Sequence, residues 1–234
     1  MSTKEPLILA PGLLCDQTLW AHQMKHLADI AEISVAETTR DEAISHMAER
    51  LLASAPERFA LAGLSMGGYI AFEVMRRAPE RVSKLALLDT AAEPDTPEKT
   101  KVRKGLIHIA EKGKFKGVSP RLLPMLIHND RLGEADLTTT ITDMAERVGK
   151  DAFIAQQKAI MGRADSRDSM KEIQVPTLVL CGREDELTSL GVHEAMAAAI
   201  PDARLCIIEE CGHLSTMERP QAVTALMRDW LVRA

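Results

Sequence analysis

Aromatic side chains are scarce in this chain: 3% of its residues, as two Trp, one Tyr and four Phe. That shortage argues against a surface that stacks nucleic-acid bases. Basic residues never run beyond a pair such as Arg76-Arg77, and the balance of 29 basic to 34 acidic residues leaves a net charge of −5, so no polyanion partner is expected. Cysteine is sparse too, and Cys15, Cys181, Cys206 and Cys211 lie outside any C-x-x-C spacing. They read as buried free thiols in a reducing compartment, with neither a metal site nor a disulfide framework. Long apolar runs are also missing. The first segment, MSTKEPLILAPGLL, is broken by Pro11-Gly12 and has the features of neither a signal peptide nor a membrane span. A cytoplasmic protein without membrane, metal or organic cofactor is the expectation.

What the chain does have is an ordinary globular balance, 46% hydrophobic and 27% charged over 234 residues, a length that one α/β domain can fill. Short apolar runs alternate with segments of helical period. PLILA (6–10), EISVAE (32–37), RFALAGL (58–64), KLALLDT (84–90), PTLVLCG (176–182) and ARLCIIEE (203–210) read as six strands. Between them lie a stripe from Leu19 to Ile30 with Asp16 as its cap, a helix opened by the capping-box pair Thr39 and Glu42, and a helix from Met66 to about Ala78. A helix near Thr188–Ile200 follows, and the last starts at Pro220 and buries Val223, Leu226, Met227, Trp230 and Leu231. Continuous apolar strands separated by helices imply a mainly parallel sheet covered on both faces.

Residues 91–174 break the alternation. They are rich in charge and lack strand signals, while Val102, Leu106 and Ile109, then Ile141, Met144, Ala145 and Val148, recur at helical spacing; Ser119-Pro120 reads as a helix start. The expected division is a core of 1–90 and 175–234 with a helical insertion at 91–174.

Chemistry concentrates at Gly63-Leu64-Ser65-Met66-Gly67. This G-x-S-x-G follows a predicted strand and opens a predicted helix, the setting of a nucleophile elbow. The chain must turn sharply there, which demands small residues two positions either side of the serine. A phosphate-binding loop is the weaker reading, because neither G-x-x-x-x-G-K-[ST] nor G-x-G-x-x-G is present. A serine hydroxyl needs a base. Of seven histidines, His22, His26, His46 and His193 fall on predicted helices and His108 and His128 in the insertion, whereas His213 follows the last strand, where parallel sheets gather ligands. The partner acid belongs between serine and histidine in chain order. Glu184, Asp185 and Glu186 after the fifth strand are candidates, and Asp89 after the fourth is another. The oxyanion donors would be the backbone N–H groups of Met66, just past the serine, and Leu13, in the loop after the first strand.

Taken together, APGLLCDQTLW, LAGLSMGGYIA, LVLCGREDELT and CGHLSTMERPQAV resemble, in order, the oxyanion loop, nucleophile elbow, acid turn and terminal histidine loop of the α/β-hydrolase superfamily, and the resemblance spans nearly all the chain outside 91–174. It implies the α/β-hydrolase fold, with about six mainly parallel strands and helices on both faces, lacking the family's first two strands. It also implies Asp185 as the acid, with Glu184 and Glu186 as solvated neighbours, and 91–174 as a helical cap. Pro11-Gly12 stands where His-Gly is usual, which removes a side chain and keeps the N–H. The elbow and length are similar to those of small carboxylesterases, cofactor-free haloperoxidase-type enzymes and enol-lactone hydrolases. The implied activity is hydrolysis of small or medium esters through Ser65; a C–C bond hydrolase, lactonase or perhydrolase, and a non-catalytic ligand receptor, are the alternatives. A small-molecule substrate would meet Leu106, Ile109, Met125, Leu126, Ile127, His128 and Leu214, with Leu123 and Ile160 as further apolar lining.

Overall fold

In the computed structural model, which describes residues 4–233, the six apolar runs are six strands: β1 (Glu5–Ala10), β2 (Ala31–Val35), β3 (Phe59–Leu64), β4 (Val82–Leu88), β5 (Thr177–Gly182) and β6 (Ala203–Ile208). They form one sheet of order β2-β1-β3-β4-β5-β6, and every pairing is parallel. The inner strands β3 and β5 are buried along their whole length, whereas the edge strand β2 alternates exposed residues with buried or half-buried ones. Continuous apolar sequence therefore marks the strands covered on both faces. Residues 1–3 of the segment MSTKEPLILAPGLL lie outside the described residues.

Around the sheet run α1 (Ala21–Leu27), α2 (Ile44–Ser54), α3 (Met66–Arg77), α4 (Pro97–Ile109), α5 (Ala135–Met161), α6 (Leu190–Ala199), α7 (Ser215–Glu218) and α8 (Pro220–Val232). Asp16 caps the turn ahead of α1 by accepting the Thr18 N–H at 2.8 Å, and Pro220 opens α8. Two apolar clusters fill the faces of the sheet, one containing Leu9, Trp20, Met227 and Trp230 and the other Leu51, Ile70, Phe72 and Val179.

Two helix starts differ from expectation. The Thr39 N–H and hydroxyl both go to Glu37 Oε1, at 2.8 and 2.5 Å, so no capping box forms with Glu42, and α2 begins at Ile44. Ser119-Pro120 opens a turn closed by Leu122 N–H to Ser119 C=O at 2.8 Å, with only a 3-10 turn over Leu123–Met125 beyond it. Residues 91–174 contain α4, α5 and short turns, and no strand among the described residues. Gly149, at φ +82°, breaks α5 in its middle.

The strand order fixes where loops diverge. After β1 the chain passes to β2 on one side, and after β2 it returns across β1 to β3 on the other, so the switch point lies at the carboxyl ends of β1 and β3. Ala10, the last residue of β1, is paired with Gly63, and Leu64, the last of β3, with Leu88. Loops 11–16 and 65–66 thus start side by side.

Candidate active site

Ser65 sits at that switch point, between β3 and the first turn of α3, with φ +55° and ψ −114°. A non-glycine residue there carries roughly 1–3 kcal/mol of strain. The conformation also prevents Ser65 from doing what a serine at a helix start normally does, since its side chain caps nothing. Backbone bonds hold the turn: Ser65 N–H to Leu88 C=O at 3.0 Å, and Gly68 N–H and the Thr90 hydroxyl to Ser65 C=O at 2.9 and 2.7 Å. The glycines are sterically required. A Cβ on Gly63 would strike the Gly67 carbonyl, and one on Gly67 would strike the Ala10 carbonyl.

The structure brings Ser65, His213 and Asp185 into one hydrogen-bonded chain. His213 Nε2 lies 2.9 Å from Ser65 Oγ, and His213 Nδ1 lies 2.8 Å from Asp185 Oδ2. An ionised carboxylate can only accept, so Nδ1 carries the proton and the Nε2 lone pair faces the serine hydroxyl. Asp185 is fixed by an Asx turn: its Oδ1 accepts the N–H groups of Leu187 and Thr188 at 2.8 and 2.9 Å, and its Oδ2 accepts the Thr188 hydroxyl at 2.7 Å. Burial works against the charged form of both partners. It is outweighed by their mutual attraction, with the Thr188 donors helping Asp185, so the Asp185 carboxyl is held below its usual range and the His213 imidazole above its own.

The other candidate acid, Asp89, is fully buried and does not touch His213. Its Oδ1 accepts the Gly182 N–H at 3.1 Å, and its Oδ2 accepts the Ser215 N–H at 3.3 Å and the Ser215 hydroxyl, so it joins the ends of β4 and β5 to the segment after His213. Burial, reinforced by the Asp185 charge, pushes its carboxyl well above the usual range. Glu184 is not merely a solvated neighbour: its Oε2 accepts the Cys211 N–H at 3.0 Å and steadies the histidine loop. Glu186 is exposed. His193 is the second buried imidazole. Its Nε2 accepts the Thr90 N–H at 3.0 Å while Nδ1 faces the Ser189 C=O at 3.1 Å, and burial keeps it neutral by lowering its pKa.

Gly12 approaches Ser65 closely enough that an added Cβ would stand 3.4 Å from the serine Cβ. The Leu13 and Met66 N–H groups, one in this loop and one at the start of α3, donate to no acceptor among the described residues. Of the residues expected to meet a substrate, Leu126 lies directly over the histidine loop: its C=O accepts the N–H groups of both His213 and Leu214 at 3.0 Å. Ile127, Leu123 and Leu214 are buried in the apolar cluster that Leu13, Leu106 and Leu126 join, and Ile160 is buried in the second cluster. His128 is half-buried, with its N–H held by Glu218 Oε2 at 2.7 Å. Ile109 and Met125 depart from expectation. They are 49% and 42% exposed, because the buried face of α4 runs through Ile107 and that of the 3-10 turn through Leu123. His108 is exposed as well.

Glu218 went unrecognised in the sequence. Its Oε1 accepts the Gly212 N–H at 2.9 Å while Oε2 holds His128, which links segment 126–128 to the histidine loop. Thr188, read from the sequence only as a helix start, was missed as a partner of Asp185; the signal that could have found it is the tendency of an aspartate in a turn to accept backbone N–H groups a couple of residues on. Among the described residues no group of three or more His, Cys, Asp or Glu could hold a metal ion, and no helix is long and apolar enough to cross a membrane. A cleft of about 290 Å³ between Thr177, Ala203 and Trp230 lies at the amino ends of β5 and β6, away from Ser65.

A six-stranded parallel sheet with a G-x-S-x-G elbow at its switch point defines an α/β-hydrolase. The family model described as "Serine aminopeptidase, S33" matches residues 34–220, and the chain belongs to that family of hydrolases. Among solved structures it is similar to a thermophilic esterase from Thermogutta terrifontis, with a TM-score of 0.88, 29% identity, and coverage of 98% of this chain and 90% of that one. The enol-lactonase from Burkholderia xenovorans LB400 shares its fold at a TM-score of 0.89, with 24% identity over 99% of this chain and 93% of that one. A 2-hydroxymuconate semialdehyde hydrolase from a Pseudomonas species is 27% identical over 85% of this chain and 71% of its own length.

Proposed function

We propose that the chain is a serine hydrolase that cleaves small or medium carboxylic esters through an acyl-enzyme on Ser65. The observation that carries this reading is the Ser65–His213–Asp185 relay, with contacts of 2.9 and 2.8 Å, starting from a serine in a strained turn. In this scheme Ser65 Oγ bonds to the acyl carbon as His213 Nε2 takes its proton, and the carbonyl electron pair moves onto the oxygen. The Leu13 and Met66 N–H groups receive that oxyanion. As the carbonyl re-forms, the bond to the alkoxy oxygen breaks and His213 returns the proton to the leaving alcohol. Water then attacks the acyl carbon as its proton passes to His213, and in the second collapse the bond to Ser65 Oγ breaks while His213 gives that proton to Oγ, which releases the carboxylic acid and restores Ser65. Asp185 stabilises the imidazolium at each stage.

Residues 91–174 serve as the cap, and the apolar surroundings of Leu106, Leu126, Ile127 and Leu214, with His128 at their edge, favour an uncharged acyl group. Similarity to a 2-hydroxymuconate semialdehyde hydrolase keeps C–C bond hydrolysis as the second reading, on the same relay.

The test is turnover on a chain-length series of activated esters, together with covalent labelling by a fluorophosphonate probe. Ser65→Ala is expected to abolish labelling and lower turnover by ~10⁶. Unchanged turnover on the best ester would overturn the assignment. A dienone-acid substrate cleaved in preference to every ester would move the chain to the second reading.

A further inference from the structure

The loop that carries Leu13 is held in a conformation its own sequence does not favour. Cys15 N–H bonds to Gly12 C=O at 3.2 Å and closes a four-residue turn whose third residue, Leu14, has φ +58°. Turns of that shape normally put glycine or asparagine at this position, because a branched side chain in the left-handed region costs roughly 1–2 kcal/mol. Leu14 is buried, so solvent does not compensate. Something outside the loop must select this geometry.

That contact comes from α5, 142 residues along the chain. Gln156 is fully buried, and its Oε1 accepts the Leu14 N–H at 3.0 Å, while its Nε2 donates to the Thr38 C=O at 3.1 Å. On the other side of the same peptide, the Leu13 C=O accepts the Cys15 thiol at 3.4 Å. The Leu13–Leu14 peptide plane is therefore pinned through both its polar atoms. Rotation of that plane would turn the neighbouring Leu13 unit as well. With Leu14 N–H committed to Gln156, the Leu13 N–H next to it donates to no acceptor among the described residues.

We infer that Gln156 is a positioning residue for the oxyanion hole: it holds the Leu13–Leu14 peptide so that the Leu13 N–H faces the acyl oxygen at Ser65. This rests on the serine-hydrolase reading above and adds that part of the transition-state geometry is set from the helical segment between β4 and β5. The glutamine is suited to the task because its two ends differ. It needs an acceptor for Leu14 and a donor for Thr38, and an amide presents one of each at fixed separation. Deleting it would leave the Leu14 N–H and Thr38 C=O buried without their partner.

The experiment compares Gln156→Met, which keeps the side-chain length and removes both hydrogen bonds, with Gln156→Glu, which keeps an acceptor for Leu14. In the folded Met variant kcat should fall ~10²–10³, the typical worth of one oxyanion donor, with KM within about threefold of the parent. Affinity for a trifluoromethyl ketone, whose adduct places an oxyanion in the hole, should fall in parallel with kcat/KM. The acid limb of the pH profile should stay in place, because the His213–Asp185 pair is untouched. The Glu variant should recover at least tenfold of the lost kcat. If the Met variant does not fold, Gln156→Asn, too short to reach Leu14 and Thr38 together, is expected to show the same loss of kcat. A folded Met or Asn variant with kcat within twofold of the parent would overturn the inference, as would a loss confined to KM. Failure of the parent itself to label with fluorophosphonate or to turn over any ester would instead sink the serine-hydrolase reading.

Discussion

The carboxyl edge of the sheet and the segment from α4 to α5 follow opposite rules of construction. At the sheet edge, backbones approach so closely that a single methyl group on Gly63, Gly67 or Gly182 would collide with a carbonyl, and Asp89, Asp185 and Glu218 each accept at least two hydrogen bonds. In the helical segment, Gly105, Gly113, Gly133 and Gly149 have open space where a Cβ would stand, and Val102, Ile109, Leu122 and Met125 are exposed. One region leaves almost no freedom to its side chains and the other leaves a great deal. The proposed reacting groups are built on the first, and Gln156 is a point at which the second reaches into it.

The severest way to break the contrast is at Asp185. Asp185→Asn preserves shape but removes the charge that favours the protonated imidazole, and should lower kcat by ~10⁴. The sign of the accompanying pH effect follows from the causes acting on His213. Burial lowers its pKa and the Asp185 charge raises it, with a net rise. The acid limb of kcat/KM in the parent should therefore lie above the range of an ordinary histidine, and in the variant, with the largest cause opposing burial removed and only the lesser Asp89 and Glu218 charges left to raise it, it should move to lower pH. A limb that stays put would mean that Asp185 does not control the titration of the base.

Gly67→Ala comes next. The new methyl group would meet the Ala10 carbonyl, part of the β1 backbone, which cannot swing aside as a flexible side chain could. A loss of ~3 kcal/mol or more in unfolding free energy is expected, read from the midpoint of urea denaturation, because overpacking at a backbone contact has no cheap relaxation. A midpoint equal to that of the parent would show that α3 and β1 can separate, and the rigid frame assumed for Ser65 would be lost.

How much of this was legible in the sequence follows the same division. All six strands could be read, because each is a short apolar-rich run set off by helical period, unbroken in β3 but interrupted in β2 by Glu32 and Ser34, and the meeting of Ser65 with His213 was foreseeable because each follows a strand. Local rivalry spoiled the helix starts: Glu37 takes the Thr39 N–H that a capping box would have given to Glu42, and Ser119-Pro120 forms only a turn. Ile109 was misplaced because helical spacing identifies a stripe without saying whether the stripe faces protein or water; Val102 on the same stripe is 62% exposed. The bonds from Gln156 to Leu14, Asp89 to Ser215 and Glu218 to His128 join residues 142, 126 and 90 positions apart, and no periodicity encodes such a pairing.

The smallest expected effect sharpens the comparison most, because it separates space from backbone conformation. Gly105 lies inside α4, where glycine costs roughly 0.5–1 kcal/mol relative to alanine, and a Cβ there would meet nothing within 4 Å. Gly105→Ala should thus stabilise the protein by about that amount, raising the melting temperature by roughly 1–4 °C, with activity unchanged. Gly149 is just as open, yet its φ of +82° is one that an alanine enters only with strain. Gly149→Ala, at φ +82° and ψ 176°, should lose ~1–3 kcal/mol where Gly105→Ala gains. Melting curves of the two variants measured side by side decide the matter. Opposite signs mean that the helical segment tolerates added side chains wherever the backbone allows them. Equal losses would mean that the segment is as tightly constrained as the sheet edge, and the contrast between the two regions would fail.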